Sequence, residues 1–107
     1  MVKIKTKEEL DKFIEGSGVK CLKFSAVWCS PCRVLGNTIN GLTLEETDGA
    51  QFAEIDVDEA DEELVDAYSI KSIPVLVYFK DGLVADKTVG LLTKQQLLDK
   101  IEEVKSK

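Results

Sequence analysis

The sequence predicts an α/β fold: a mixed central β-sheet flanked by helices on both faces. Three observations carry this. Segments of strand period and helix period alternate from the start of the chain to residue 74. Val75 to Phe79 is almost wholly apolar, the composition of a central strand buried on both faces. Lys80-Asp81-Gly82 then makes a hairpin turn, so the final strand pair is antiparallel. The resulting order is β-α-β-α-β-α-β-β-α.

Each element has its own signal. Val2 to Lys5 is short and alternating, a first strand. Thr6-Lys7-Glu8-Glu9 has the form of a capping box, with Thr at the N-cap and Glu three residues on. Leu10, Phe13 and Ile14 follow at helical spacing, giving an amphipathic helix from Lys7 to Glu15 that Gly16-Ser17-Gly18 stops. Val19 to Ala26 is the second strand, apolar except for Lys20, Lys23 and Ser25. Val34, Leu35, Ile39 and Leu42 form a stripe that predicts a helix from Pro31 to Glu46. Gly36, Asn37, Thr38, Asn40, Gly41 and Thr43 are poor helix formers, so that helix should be bent or frayed.

Asp48-Gly49 is a turn, and Phe52 to Val57 a third strand. Asp58 to Asp66 reads as a short acidic helix with Leu64, Val65 and Tyr68 toward the core. Its carboxylates suit the positive end of the helix dipole and read as a solvated face. Ser69 to Ser72 connects to Ile73-Pro74, and Leu83 to Val89 returns from the hairpin. Gly90 predicts a bulge or a close backbone approach. Thr93-Lys94-Gln95-Gln96 is a second capping box, followed by a helix carrying Leu97, Leu98, Ile101 and Val104.

At 107 residues the chain predicts one domain, residues 1–107. A net charge of −6 argues against nucleic acid and membrane surfaces as partners, since both select basic patches. No apolar run approaches the length of a membrane span. Met1 to Leu10 is charged and lacks the apolar core of a secretion signal. The expected setting is the cytoplasm, where thiols stay reduced. A monomer is the expected state.

Chemistry concentrates in Trp28-Cys29-Ser30-Pro31-Cys32, where a strand ends and a helix begins. Cysteines at i and i+3 close a very small loop, so a disulfide between them adds little chain-entropy stabilisation. Such a bond can open and close without rearranging the fold, which is what an electron carrier needs. Pro31 suits the first turn of the following helix. The alternative is an inert buried pair. Structural zinc wants four Cys or His ligands, and the chain offers only Cys21 in addition and no His. No metal and no bound cofactor is therefore expected within one chain. The lack of His also removes the usual proton shuttle near neutral pH. Cys21 reads as a small buried hydrophobe.

These residues, taken together, resemble the thioredoxin family. Trp28-Cys29-Ser30-Pro31-Cys32 is similar to its redox motif. Ile73-Pro74 is similar to its Ile–cis-Pro pair, and Phe79-Lys80-Asp81-Gly82 with Val89-Gly90 resembles its hairpin and late glycine. The resemblance runs from about Val2 to Val104 and has three departures. Ser30-Pro31 stands where Gly-Pro is common. Asn37 stands where many members have proline. Lys23 stands where the family has a buried aspartate, and Glu54 where it often has that aspartate's lysine.

The resemblance implies a thiol–disulfide oxidoreductase. Cys29 is the implied nucleophile, and Cys32 the thiol that resolves the mixed disulfide. Glu54 is the candidate acceptor for the Cys32 proton with Lys23 as its charge partner; the alternative is an ion pair with a purely structural role. Trp28, Pro31, Ile73, Pro74, Gly90 and Leu91 are the implied substrate-binding residues, with the Ile73–Pro74 peptide cis and Ile73 offering its backbone. The implied partners are disulfide-containing protein substrates and a reductase, either NADPH- or ferredoxin-linked. Two other readings stay open: a disulfide oxidant or isomerase of the same fold, and a redox-inert binding module.

Overall fold

The computed structural model describes residues 1–107. The elements are β1 (Val2–Lys3), α1 (Lys7–Ile14), β2 (Val19–Ser25), α2 (Ser30–Asn40), α3 (Leu44–Thr47), β3 (Gln51–Asp56), α4 (Glu62–Ala67), β4 (Val75–Lys80), β5 (Leu83–Val89) and α5 (Lys94–Lys105). The five strands lie in the order β1-β3-β2-β4-β5. β3 runs parallel to both β1 and β2, whereas β4 is antiparallel to β2 and β5. The sheet is thus mixed, and β2 lies at its centre with every residue buried.

Alternation along the strands sends side chains to two separate cores. Leu22, Phe24, Ala53, Ile55, Val75, Val77 and Phe79 face α1 and α4, with Leu10 and Leu64. Cys21, Leu76 and Tyr78 face α2 and α5, with Leu35, Ile39, Leu97, Ile101 and Val104. Helices therefore cover both faces, as the pattern predicts.

The long helix expected from Pro31 to Glu46 is instead two. α2 ends at Gly41, whose N–H reaches back to Asn37 and Thr38 carbonyls at 3.1 and 3.2 Å. Thr43 then starts α3 with a capping box of its own: its hydroxyl takes the Glu46 N–H, and Glu46 takes the Thr43 N–H at 3.0 Å each. That T-x-x-E signal lay inside an apolar stripe that continued through it. The stripe was real, but two caps outweigh one run of periodicity.

Other differences are local. The acidic helix begins at Glu62 rather than Asp58. The Asp56 carboxylate accepts the Asp58 N–H at 2.9 Å and its carbonyl accepts the Ala60 N–H at 2.9 Å, which holds residues 57–60 in a turn. β1 stops at Lys3, because Lys5 donates its N–H to the capping carboxylate of Glu9. The bulge falls at Ala85, where pairing steps from Tyr78–Asp86 to Phe79–Val84. Gly90, at φ 94°, makes the close approach instead: its N–H donates to the Pro74 carbonyl at 2.8 Å.

Lys20 has an architectural task. Its ammonium is buried against the end of α1 and donates to the Phe13 and Glu15 carbonyls at 2.9 and 2.6 Å. A cation there satisfies orphan carbonyls and complements the helix dipole. Lys20→Met is expected to cost about 1 kcal/mol. Urea unfolding should show a lower midpoint at unchanged slope.

Candidate active site

β2 and β3 end side by side, and the chain leaves them toward opposite faces of the sheet, into α2 and α4 respectively. Such switch points open a crevice beyond the strand ends. Ala26 and Val27 carry the chain out of β2, and Cys29 becomes the N-cap of α2. Its sulfur accepts the Cys32 N–H at 3.3 Å. Cys29 and Cys32 are disulfide-bonded, with Cα atoms 5.2 Å apart. Ser30 and Pro31 form the first turn between them.

The two sulfurs are not equivalent. Cys29 is 6% exposed and Cys32 is 0% exposed. Both pack with Ala26, Val57 and Ile73. An incoming molecule therefore meets Cys29 first. At the start of an eleven-residue helix, backbone amides and the dipole stabilise a Cys29 thiolate.

A groove of about 1060 Å³ runs from Cys29 along the face of α4. Trp28, Pro31 and Ile73 line it, as do Val57, Asp58 and Ile70. Trp28 is 65% exposed but is not loose, because its indole N–H donates to the Asp58 carboxylate at 2.7 Å. Pro74 is buried behind Ile73, across a cis peptide bond. Gly90 joins the same segment through its bond to the Pro74 carbonyl, and Leu91 follows it, exposed. Gly90 and Leu91 stand beside the groove rather than in its wall.

Two further residues belong to the site. In sequence Asp58 reads as part of a solvated helix face, and only the turn on Asp56 aims it at Trp28. The other is Arg33, whose guanidinium donates to the Val27 carbonyl at 2.7 Å and the Ser30 hydroxyl at 3.0 Å. It braces the loop on both sides of Cys29. The Ser30–Arg33 spacing of three residues in a helix was the available signal.

Lys23 and Glu54 meet beneath α2. Their side chains form an ion pair at 2.9 Å between neighbouring strands, in direct register. Lys3 from β1 takes the other carboxylate oxygen at 3.1 Å. Burial pushes the Glu54 carboxyl up, but hydrogen bonds and charge from Lys23 and Lys3 prevail and hold it below the ordinary range. Lys23 is 2% exposed, so its charge has no bulk water to screen it. Gly36 explains its place in α2 here: a Cβ at that position would lie 3.1 Å from the Lys23 ammonium. Cys21 lies on the same side of the sheet, and burial pushes its thiol far up, leaving it inert.

Comparison with known proteins gives one answer. The family model described as thioredoxin matches residues 1–103. A thioredoxin of Mycoplasmoides gallisepticum is 36% identical over 97 residues, covering 91% of this chain and 95% of that one. One from Staphylococcus epidermidis is 36% identical over 98 residues, 92% of each chain. Among solved structures, a mutant thioredoxin from Halobacterium salinarum superposes with a TM-score of 0.86 at 36% identity, over 97% of this chain and 89% of that one. Thioredoxin from Fasciola hepatica gives 0.82 at 30% identity, over 98% and 100%.

Proposed function

The chain belongs to the thioredoxin family and is a thiol–disulfide oxidoreductase, a protein-disulfide reductase; on that premise we propose how its residues divide the work. The Cys29 thiolate attacks one sulfur of a substrate disulfide. That bond breaks, the far sulfur leaves as a thiolate and takes up a proton, and a mixed disulfide remains. Cys32 loses its proton and attacks the Cys29 sulfur. The second substrate sulfur leaves, and two electrons have passed from the Cys29–Cys32 dithiol to the substrate. The observation that carries this reading is Cys29 at the start of α2, buried but reaching the groove wall, with Cys32 sealed behind it.

Trp28, Pro31 and Ile73 form the apolar wall that receives the substrate. Ile73 pairs its backbone with an extended substrate segment, held in place by Pro74, with Gly90 and Leu91 beside it. The substrates are disulfide-containing proteins. A thioredoxin reductase, NADPH- or ferredoxin-linked, restores the dithiol. The reducing cytosol is the compartment in which such a donor works.

Glu54 is the acceptor that sequence position nominates for the Cys32 proton, with Lys23 as its charge partner. The geometry argues against Glu54 as the proton acceptor. Both carboxylate oxygens are taken by lysines, which makes Glu54 a weak base at neutral pH. In this reading the proton passes to solvent.

Differential alkylation tests the assignment. In the reduced, native protein a limiting alkylating agent should label Cys29 first and Cys32 slowly. Cys21 should react only on unfolding. The same preparation should reduce insulin disulfides when a small dithiol supplies electrons. A shielded, unreactive Cys29 would remove the basis of the mechanism.

A further inference from the structure

The buried charge closest to the resolving thiol is a cation. Cys32 and Gly36 are both buried residues of α2, one turn apart on the face that meets the sheet. Side chains so spaced lie about 5–6 Å apart at their Cβ atoms. The Lys23 ammonium sits 3.1 Å from the Cβ position of Gly36. It therefore lies within about 9 Å of the Cys32 side chain, inside the protein. Its counter-ion is asymmetrically placed. Lys23 projects from the central strand directly beneath α2, whereas Glu54 is on β3, shared with Lys3 and partly open to solvent.

We infer that Lys23 is a positioning residue for the second half of the reaction: its ammonium stabilises the Cys32 thiolate as the Cys32 proton leaves. This rests on the thiol–disulfide reading of the site. The balance is simple. Cys32 releases a proton to solvent, its sulfur bonds to the Cys29 sulfur, and the substrate thiolate departs. Lys23 neither gains nor loses a proton. The charged groups lining the cavity beneath α2 are Lys3 from β1, Lys23 from β2, Glu54 and Asp56 from β3, and Arg33 from α2 itself. Of these, Arg33 is committed to Val27 and Ser30 near Cys29, and Lys3 is exposed. Lys23 alone is both buried and in contact with the inner face of α2.

The opposing signs of Lys23 and Glu54 give the test its direction. Cys29 is first loaded as a mixed disulfide with thionitrobenzoate, and release of the coloured thiolate by Cys32 is followed against pH. Lys23→Met removes the cation and should move the midpoint of that profile up by about one pH unit. Glu54→Gln leaves the cation uncompensated, so its midpoint should move down, with faster release at neutral pH. The double variant Lys23→Met/Glu54→Gln should fall above Glu54→Gln alone. Circular dichroism checks each fold. Glu54→Gln keeps the shape of the carboxylate and one acceptor oxygen for the lysines, so it serves if Lys23→Met does not fold. A Glu54→Gln profile that moves up, or slows at neutral pH, would make Glu54 the base and overturn the inference. Unmoved profiles would overturn it too. If wild-type Cys29 fails to form the mixed disulfide at all, the redox reading itself has failed, a result distinct from either.

Discussion

Cys32→Ser is expected to stop turnover while leaving the first attack intact. A serine hydroxyl holds its proton at neutral pH and cannot displace a thiolate. Cys29 still lies at the mouth of the groove, so it still opens a substrate disulfide and is then left joined to the product. Mass spectrometry should find a one-to-one covalent adduct that a small dithiol releases. Insulin reduction should fall to the background of uncatalysed exchange. Cys29→Ser should give neither adduct nor activity, because Cys32 is fully enclosed and no protein substrate can reach it. An adduct on the Cys29→Ser variant, formed through Cys32, would invert the assigned roles. Loss of the disulfide should by itself lower stability little in either variant, since the loop it closes between residues 29 and 32 is too short to constrain the unfolded chain strongly.

Phe24→Ala should have the largest effect on stability. Phe24 is 0% exposed and sits in the central strand, against the α1 and α4 layer. Its ring centroid is 5.7 Å from that of Tyr68, which in turn meets Phe79 edge-on at 6.2 Å. Truncation leaves a cavity between a strand and a helix, neither of which can collapse into it. The expected loss is about 3–5 kcal/mol. For a chain of this size that lowers the melting temperature by roughly 15–25 °C in calorimetry. A change below about 1 kcal/mol would mean the layer is not close-packed. The effect reaches function, because Phe24 is next to last in the strand that delivers Cys29.

Most of this architecture is written locally. The Thr6 and Thr93 boxes, the Lys80–Gly82 turn and the apolar strands each carry their own signal, and each lies where the sequence places it. The Cys29–Cys32 motif was legible for the same reason: its chemistry depends on neighbours in sequence. What was not legible depends on partners distant in the chain. Nothing local to Lys3 announces that it shares Glu54 with Lys23, since that follows from three strands falling in register. Gly36 reads in sequence as a weak point in a helix, and only the fold puts an ammonium beneath it. Asp58 looked like one carboxylate among many, because its partner Trp28 is thirty residues away. Thr43 is the exception, a local cap hidden by a periodicity that ran through it.

The extra residue at Ala85 bears on how these molecules avoid one another. β5 is the outermost strand on its side of the sheet, and Leu83, Val84 and Val89 on it are exposed. A straight strand of that composition would be a template for adding a foreign strand and so for aggregation. The bulge twists its row of free amides and carbonyls out of line midway, and Asp86 and Lys87 follow at once with charge. The irregularity thus acts as a guard on solubility, at the opposite margin of the sheet from β1.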